Sequence, residues 1–317
     1  MKVFVAGATG AIGKQLVPQL VERGHEVTGT TRSEAKQQLV RELGARPVVA
    51  DALDPESVAQ AVARAEPEVI VHQLTALSGK IGLRDMRNPE RFGEPTNRLR
   101  TEGTDHLLAA GRAVGVRRFV AQSNIAIYAR VGGPVKIEED ALDASPPKQG
   151  RANVEAIQHL ERAVTSAAPT EGVVLRYGGF YGPGTGFSRG PEGSMVEALR
   201  KRRFPLVGTG GAVWSFIHIA DAAAATVNAI EGRGGGVYNI VDDEPATMAE
   251  WLPAAAAAVG APAPRRVPRW LVRLLAGEFA TVLMTELRGA SNAKAKRELA
   301  WAPRYPSWRE GFVTGMG

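Results

Sequence analysis

The chain has 317 residues, of which 44% are hydrophobic, so it is long enough for a main domain and a smaller one around a sizeable core. It contains no cysteine, which excludes disulfides, thiolate metal sites and a cysteine nucleophile. The net charge of +6 comes from basic residues scattered among acidic ones, a distribution that argues against nucleic-acid binding and favours a solvated basic surface.

Apolar strand patterns alternate with amphipathic helix patterns over the first 176 residues. Strands are predicted at residues 2–6, 25–31, 47–51, 69–73, 118–123 and 172–176, and helices at 11–23, 34–43, 55–65, 97–114 and 152–167. This alternation predicts right-handed βαβ units, and therefore a parallel sheet covered by helices on both faces.

The pattern becomes less regular after residue 177. A glycine-rich loop at 178–193 precedes a helix at 195–203, a strand at 214–219, a helix at 221–230 and a strand at 237–241, and the rest is helical from residue 246. We predict a dinucleotide-binding domain of residues 1–176 plus 214–241, and a substrate-binding domain of residues 177–213 plus 242–317. Charged residues interrupt the apolar segment 271–287, which predicts an amphipathic helix, and we expect a soluble, cytoplasmic protein without a membrane partner.

The first predicted strand runs directly into glycines with the spacing G-x-x-G-x-x-G and then into the first helix. The first glycine allows a tight turn, the second lets the backbone approach a phosphate, and the third lets the helix pack on its strand. The positive end of the helix dipole then faces the anion. The predicted pyrophosphate site of a dinucleotide comprises Gly7, Thr9, Gly10, Ala11, Ile12 and Gly13.

Further motifs follow in a fixed order along the chain. They are VVADA at 48–52, VHQLTA at 71–76, LRYGGFYGPG at 175–184, FIHIAD at 216–221 and NAKAKRELAWAP at 292–303. Together with the glycine motif, they make the chain similar to the extended short-chain dehydrogenase/reductase superfamily, in its epimerase/dehydratase-like branch. The resemblance implies an α/β fold, in which a Rossmann-type doubly wound parallel sheet carries a smaller, mostly helical C-terminal substrate domain.

The second predicted strand ends at Thr31, and Arg32 follows it. NAD-preferring sites usually place an acidic residue here for the ribose diol, whereas an arginine can hold a 2′-phosphate through two charge-assisted hydrogen bonds. We therefore predict NADP(H) as the preferred cofactor and NAD(H) as the alternative. The resemblance implies further cofactor contacts from Asp51, Ala52, Gln73, Leu74, Thr75, Gln122, Ser123, Tyr177 and Gly179.

The superfamily usually transfers protons through a Tyr-x-x-x-Lys pair on one helix face, assisted by a serine. No tyrosine of this chain has a lysine four residues later. When the helix at 152–167 is aligned on Glu161, the two positions hold Asn153 and Ile157, neither of which can do this proton chemistry. The serine position, counted back from Tyr128, holds Asn124. The chain is therefore identified as an atypical member, with Asn124 and Tyr128 as candidate catalytic residues.

Two aromatic residues, Tyr181 and Trp214, are candidate substrate contacts. Trp214 and the serine after it stand where sugar-nucleotide enzymes often have Arg-Asp, which points to a less charged, aromatic or lipophilic substrate. His72 and His218 are interpreted as structural, Asn97 as a helix cap or a structural bridge, and no residue cluster predicts a metal site.

Three functions remain open. The first is an NADP(H)-dependent oxidoreductase that reduces a small, carbonyl-type substrate with non-standard acid/base residues. The second is a nucleotide-sugar epimerase or dehydratase, and the third is an NADP(H)-binding regulator without turnover. The expected partner is a small-molecule substrate, and a homodimer through the helices at 97–114 and 151–164 is the default assembly.

Overall fold

The structure is a computed structural model that describes residues 1–77 and 89–317. The strands are β1 (Lys2–Ala6), β2 (Glu26–Thr31), β3 (Arg46–Val49), β4 (Val69–His72), β5 (Arg118–Asn124), β6 (Val135–Lys136), β7 (Glu171–Tyr177), β8 (Gly179–Tyr181), β9 (Leu206–Val207), β10 (Val213–Trp214), β11 (Phe216–His218), β12 (Gly236–Ile240), β13 (Ala246–Thr247), β14 (Arg266–Val267) and β15 (Gly289–Ala290). The helices are α1 (Ala11–Glu22), α2 (Gln37–Glu42), α3 (Pro55–Ala65), α4 (Pro89–Arg100), α5 (Glu102–Ala113), α6 (Arg151–Thr165), α7 (Ser194–Arg200), α8 (Ile219–Glu231), α9 (Met248–Ala258), α10 (Arg269–Thr285), α11 (Ala293–Glu298) and α12 (Trp308–Thr314).

Seven strands form one parallel sheet in the order β12-β7-β5-β4-β1-β2-β3. The chain begins at β1 in the middle, moves outward to β3, then crosses to β4 and moves outward to β12. This is the predicted Rossmann-type doubly wound arrangement. Ligands of such sheets bind at the carboxyl ends of the strands, where the strand order reverses between β1 and β4.

Helices cover both faces of the sheet, so its central strands are buried on both sides. In β1, Val3 and Val5 face α1 and α8, whereas Phe4 faces α3 and α5. Both clusters consist of apolar side chains that are almost entirely removed from water, which is the dominant stabilising contribution to the fold. The rigid sheet holds the loops at its carboxyl edge in place.

The C-terminal part has its own aromatic core, built around Trp251 of α9 and Trp308 of α12. Phe216 of β11 lies 5.1 Å from Trp251 between ring centroids, and Phe312 lies 5.2 Å from Phe216. Short strands also contribute here, since β13 pairs with β10 and β14 pairs with β9. The prediction of a purely helical pattern after residue 246 therefore missed these two-residue strands, which are too short to show a period.

Two predicted elements are corrected by the structure. The helix predicted at 97–114 is two helices. Helix α4 already begins at Pro89, and the helical conformation is interrupted at Thr101, whose φ is −96° and ψ −83°. Asn97 therefore lies inside α4 and does not cap a helix. The strand predicted at 214–219 is divided into β10 and β11, because β10 pairs with β13 and β11 with β8.

The apolar segment near the C-terminus forms α10, as predicted, with a kink at Gly277, whose φ is 87°. Within residues 1–77 and 89–317, no helix combines the length and the apolar character that a membrane crossing requires.

Candidate functional site

The glycine loop between β1 and α1 has no space for a side chain at its first glycine, and the first turn of α1 has none at Gly13. The Gly7 amide donates to Thr30 Oγ1 at 3.0 Å, and Gly7 has a φ of 100°. A Cβ on Gly7 would lie 2.9 Å from the carbonyl oxygen of Gln73, and one on Gly13 would lie 2.3 Å from the carbonyl oxygen of Gly7. The loop is thus held against β2 and β4 at the carboxyl edge of the sheet.

The N-terminus of α1 is open to an anion. No side chain of the described residues caps the helix at Gly10, and the first turn of α1 contains no acidic residue. Its first amide groups therefore lack an intrahelical partner, and the dipole favours a negative charge. A tight glycine turn, in which an added Cβ at Gly7 or Gly13 would collide with backbone, together with a helix end that no described side chain caps, fits the pyrophosphate of a dinucleotide.

The tips of β2 and β3 hold the residues predicted to contact the adenine half of the cofactor. Thr31 is buried, and its hydroxyl accepts from the amide of Ser33 at 3.2 Å. Arg32 is exposed, and its guanidinium has no partner in the described part of the chain. Asp51 is exposed as well, and its Oδ1 accepts from the amide of Leu53 at 3.0 Å. Because the Arg32 guanidinium is exposed and has no partner among residues 1–77 and 89–317, it is available to bind a phosphate.

At the end of β4, Gln73 and Tyr177 share a buried hydrogen-bond chain. Gln73 Nε2 donates to the Tyr177 hydroxyl at 3.2 Å, and that hydroxyl lies 2.7 Å from Thr226 Oγ1. Burial raises the pKa of Tyr177 to about 12. Gln73 Oε1 is buried and lacks a partner among residues 1–77 and 89–317. Direct contact of Tyr177 with cofactor stays a prediction, because its hydroxyl is already engaged.

His72 is structural, as interpreted from the sequence. The amide of Leu74 donates to Nδ1 at 3.2 Å, so Nε2 carries the proton and donates to the carbonyl oxygen of Leu99 at 3.1 Å. Burial lowers the pKa of His72 to about 4. This neutral ring fixes the backbone of Leu74, while Leu74 and Thr75 stay partly exposed beyond the strand end.

The end of β5 presents different side chains to its two faces. Ser123 points toward α6, where its hydroxyl donates to Glu161 Oε1 at 2.6 Å. Gln122 and Asn124 lie on the other face and are partly exposed. Asn124 Oδ1 accepts from the amide of Ala126 at 3.1 Å, and its Nδ2 has no partner in the described ranges. The Asn124 amide group can therefore donate to a ligand.

A buried charged network lies under this strand end. Arg176 donates to both oxygens of Glu161, at 2.8 and 2.6 Å. Arg176 Nη1 also donates to the Tyr128 hydroxyl at 2.8 Å, and that hydroxyl donates to Asn239 Oδ1 at 2.8 Å. Burial raises the pKa of Tyr128 to about 12. The role of Tyr128 as a proton donor stays a prediction, because a donor would first have to leave these contacts.

The α6 positions aligned with the usual Tyr-Lys pair carry neither acid nor base. Ile157 is 1% exposed and packs with Ile127 and Val154. Asn153 Oδ1 accepts from Arg100 Nη1 at 2.6 Å, and Arg100 is 7% exposed. Sequence reasoning missed Arg100, because its partner is 53 residues away and no local pattern announces the contact.

The two candidate substrate aromatics belong to the aromatic core. Tyr181 is fully buried, with its ring centroid 5.2 Å from that of His218 and 5.3 Å from that of Phe312. Trp214 is half-buried and lies 5.1 Å from Trp251. Their contact with a substrate stays a prediction. The Gly179 amide in the adjacent turn donates to the carbonyl oxygen of Ser215 at 2.9 Å. Within residues 1–77 and 89–317, no three His, Asp or Glu side chains could hold a metal ion.

Comparison with known proteins shows which proteins the chain is similar to. The family model described as NAD dependent epimerase/dehydratase family matches residues 3–241. A 3-diazoavenalumate denitrifying reductase from Streptomyces sp is 48% identical over 98% of this chain and 99% of the relative. A 2-alkyl-3-oxoalkanoate reductase from Stenotrophomonas maltophilia is 30% identical over 83% of this chain and 77% of the relative. The crystal structure of the human epimerase family protein SDR39U1 with NADPH has a TM-score of 0.74 at 23% identity, covering 99% of this chain and 98% of that chain.

Proposed function

Because the chain belongs to the NAD dependent epimerase/dehydratase family, within the extended short-chain dehydrogenase/reductase superfamily, we propose that it is an NADP(H)-dependent reductase of a small aromatic diazo carboxylate. The family and the reductase relatives make it an NAD(P)-dependent oxidoreductase with a small-molecule substrate. The choice of NADP(H) and the substrate class are the parts proposed.

The cofactor proposal places the pyrophosphate at the glycine loop and the 2′-phosphate beside Arg32. Arg32 supports NADP(H), because it is exposed, permanently charged and unpaired in the described ranges. Leu74, Thr75 and Gln122 would line the remainder of the cofactor from the ends of β4 and β5. When bound, the nicotinamide supplies a hydride.

The observation that carries the substrate proposal is the pair Asn153 and Ile157 on α6. A carbonyl that accepts a hydride becomes an alkoxide and needs a proton, which a positioned acid supplies with a gain of about 10²–10⁴ in rate. An aryl diazonium group differs, because a hydride added to its terminal nitrogen neutralises its positive charge and gives an aryl diazene. The C–N bond of the diazene then breaks with release of N2, and the ring carbon takes up the proton that the N–H group loses, which gives the arene. No net proton is consumed, so the hydride step requires no protein acid.

The relatives support both the diazo group and the carboxylate. The relative with 48% identity is named for a diazo compound and for its denitrification, and both reductases are named for carboxylates. Within this proposal, Asn124 Nδ2 donates to an acceptor of the substrate and the half-buried Trp214 provides the apolar side, whereas the fully buried Tyr181 supports the site only through the aromatic core. The carbonyl-type substrate is the second candidate, favoured by the 2-alkyl-3-oxoalkanoate reductase at 30% identity.

A matched pair of substrates tests the proposal. Diazotised 3-aminocinnamate and 3-formylcinnamate present a diazonium group and an aldehyde on the same carboxylate frame, and NADPH loss is followed with a protein-free blank for each. We expect kcat/KM for the diazonium compound to exceed that for the aldehyde by about 100-fold or more, since the aldehyde lacks its acid. Faster turnover of the aldehyde would replace the diazo proposal by the carbonyl one, and turnover of neither would overturn both.

A further inference from the structure

Arg100 is a buried cation that has no carboxylate partner among residues 1–77 and 89–317. Arg100, Arg118 and Arg176 are each at most 7% exposed. Arg118 pairs with Glu171 at 2.7 Å and Arg176 with Glu161 at 2.6 Å. Arg100, by contrast, has a single side-chain partner in the described ranges, the neutral Asn153 at 2.6 Å.

Such an arrangement is costly unless an anion completes it. A buried charge requires a counter-charge or a full set of hydrogen bonds, and Asn153 satisfies only one of the five guanidinium N–H groups. Burial lowers the pKa of Arg100 to about 10, so the group is still protonated at neutral pH. The unpaired carbonyl groups at the C-terminus of α4 favour a cation at Arg100. This interaction does not explain why Arg100 is buried, because an exposed side chain would gain it as well.

The position of Arg100 is at the ligand edge of the sheet. Thr96 lies one helical turn earlier on the same face of α4, and its hydroxyl accepts from the amide of Ala76 in the loop that follows β4, at 3.0 Å. The preceding residue, Leu99, accepts from His72 at the end of β4. Arg100 therefore lies beneath the carboxyl end of β4 and beside the first turn of α6.

This location belongs to the half of the sheet formed by β4, β5 and β7. The predicted 2′-phosphate contact, Arg32, follows β2 in the other half, so the two arginines face different parts of the doubly wound sheet. An anion at Arg100 is therefore expected from the substrate rather than from the adenine half of the cofactor.

We propose that Arg100 is the specificity-determining residue that binds the carboxylate of the substrate, and that Asn153 orients its guanidinium. The inference rests on the proposed reductase function and assigns a residue to it. Among the described residues, Asn153 leaves the positive charge of Arg100 without a counter-charge, whereas an acidic residue at position 153 would neutralise it. The neutral Asn153 thus keeps Arg100 in place and leaves its positive charge available to an anion.

Ligand binding tests the proposal without requiring turnover. Cinnamate and cinnamamide, which differ in charge but hardly in shape, are titrated by calorimetry into the protein saturated with NADP⁺. We expect the wild type to bind cinnamate about tenfold or more tightly than cinnamamide, and R100Q to lose this ratio. N153D, which supplies an internal carboxylate of nearly unchanged size, should lose it too and controls for altered packing.

The control variant is R98Q, two residues away on the same helix, because Arg98 is exposed and pairs with Glu102 at 2.8 Å. R98Q should keep the wild-type ratio, and NADP⁺ should bind wild type and R100Q within about twofold of each other. If the ratio of the affinities for cinnamate and cinnamamide is unchanged in R100Q, or if the wild type does not prefer cinnamate, Arg100 is a purely structural residue. Weakened NADP⁺ binding in R100Q would assign it to the cofactor instead. If the carboxylate preference depends on Arg100 but no hydride is transferred, the proposed function fails and this inference stands.

Discussion

Replacement of Arg32 by alanine separates NADP(H) from NAD(H). Arg32 is exposed and has no side-chain partner in the described ranges, so its removal should change the free energy of unfolding by less than about 0.5 kcal/mol. A charge-assisted hydrogen-bonded contact contributes about 1.5–3 kcal/mol, which corresponds to an affinity loss of about 10–150-fold. Solvent exposure favours the lower part of that range, so we expect NADPH to bind about 10–30-fold more weakly.

Nicotinamide fluorescence measures this change directly when wild type and Arg32→Ala are titrated with NADPH and with NADH. NADH, which has no 2′-phosphate, should bind both proteins within about twofold. Arg41→Ala is the matched control, because Arg41 is an exposed arginine of the neighbouring α2 with its own partner, Gln37. Equal losses for both cofactors, or no loss for either, would refute the role of Arg32.

Three further variants test the buried groups of the site. Glu161→Gln leaves the Arg176 charge uncompensated and should lower the free energy of unfolding in urea by about 3–5 kcal/mol, whereas Glu102→Gln at an exposed pair should lower it by at most about 1 kcal/mol. Tyr128→Phe should lower stability by about 1–3 kcal/mol because Arg176 and an asparagine lose their partner, and kcat for a diazonium substrate should stay within about threefold. Asp242 lies two residues after β12, is 1% exposed and accepts from the amide of Glu244 at 3.2 Å. Burial raises the pKa of Asp242 to about 8, so its carboxyl contributes stability below its unfolded pKa of about 3.9 that is lost as the pH rises through 8. The melting temperature of Asp242→Asn should therefore exceed that of the wild type by a difference that grows from about pH 4 to about pH 8.

Each variant has an outcome that contradicts its reasoning. A loss below about 1 kcal/mol for Glu161→Gln would show that water or another group compensates Arg176. A fall in kcat of about 10²–10⁴ in Tyr128→Phe would identify this tyrosine as the proton donor. A melting-temperature difference that does not change with pH in Asp242→Asn would show that this carboxyl does not titrate between its unfolded and its folded pKa.

The parts of the fold that depend on local patterns could be predicted from the sequence. The glycine loop with β1 and α1, and the alternation that gives the doubly wound sheet, follow from spacing and period over a few residues. Helix α4 was misplaced because its strongest start signal is Pro89 at a first-turn position, while Asn97 resembles a cap without being one.

Contacts between distant residues could not be predicted in this way. Arg100 meets Asn153 across 53 residues, and Arg176 meets Glu161 across 15, so no window of the sequence contains the signal. The sequence indicates Tyr181 and Trp214 as candidate ligand contacts. Only the packing around Trp251 shows that Tyr181 belongs to the aromatic core and that Trp214 packs against it.

We expect the protein to consume NADPH in a net reduction that needs no proton from a Tyr-x-x-x-Lys pair. The most direct measurement follows NADPH absorbance and N2 release together, with diazotised 3-aminocinnamate as substrate and a protein-free blank. We expect one NADPH to be lost for each N2 and each cinnamate formed, with no enzymatic product when NADPH is omitted. Product formation without loss of NADPH, or bound NADPH that is never oxidised in the presence of substrate, would contradict it.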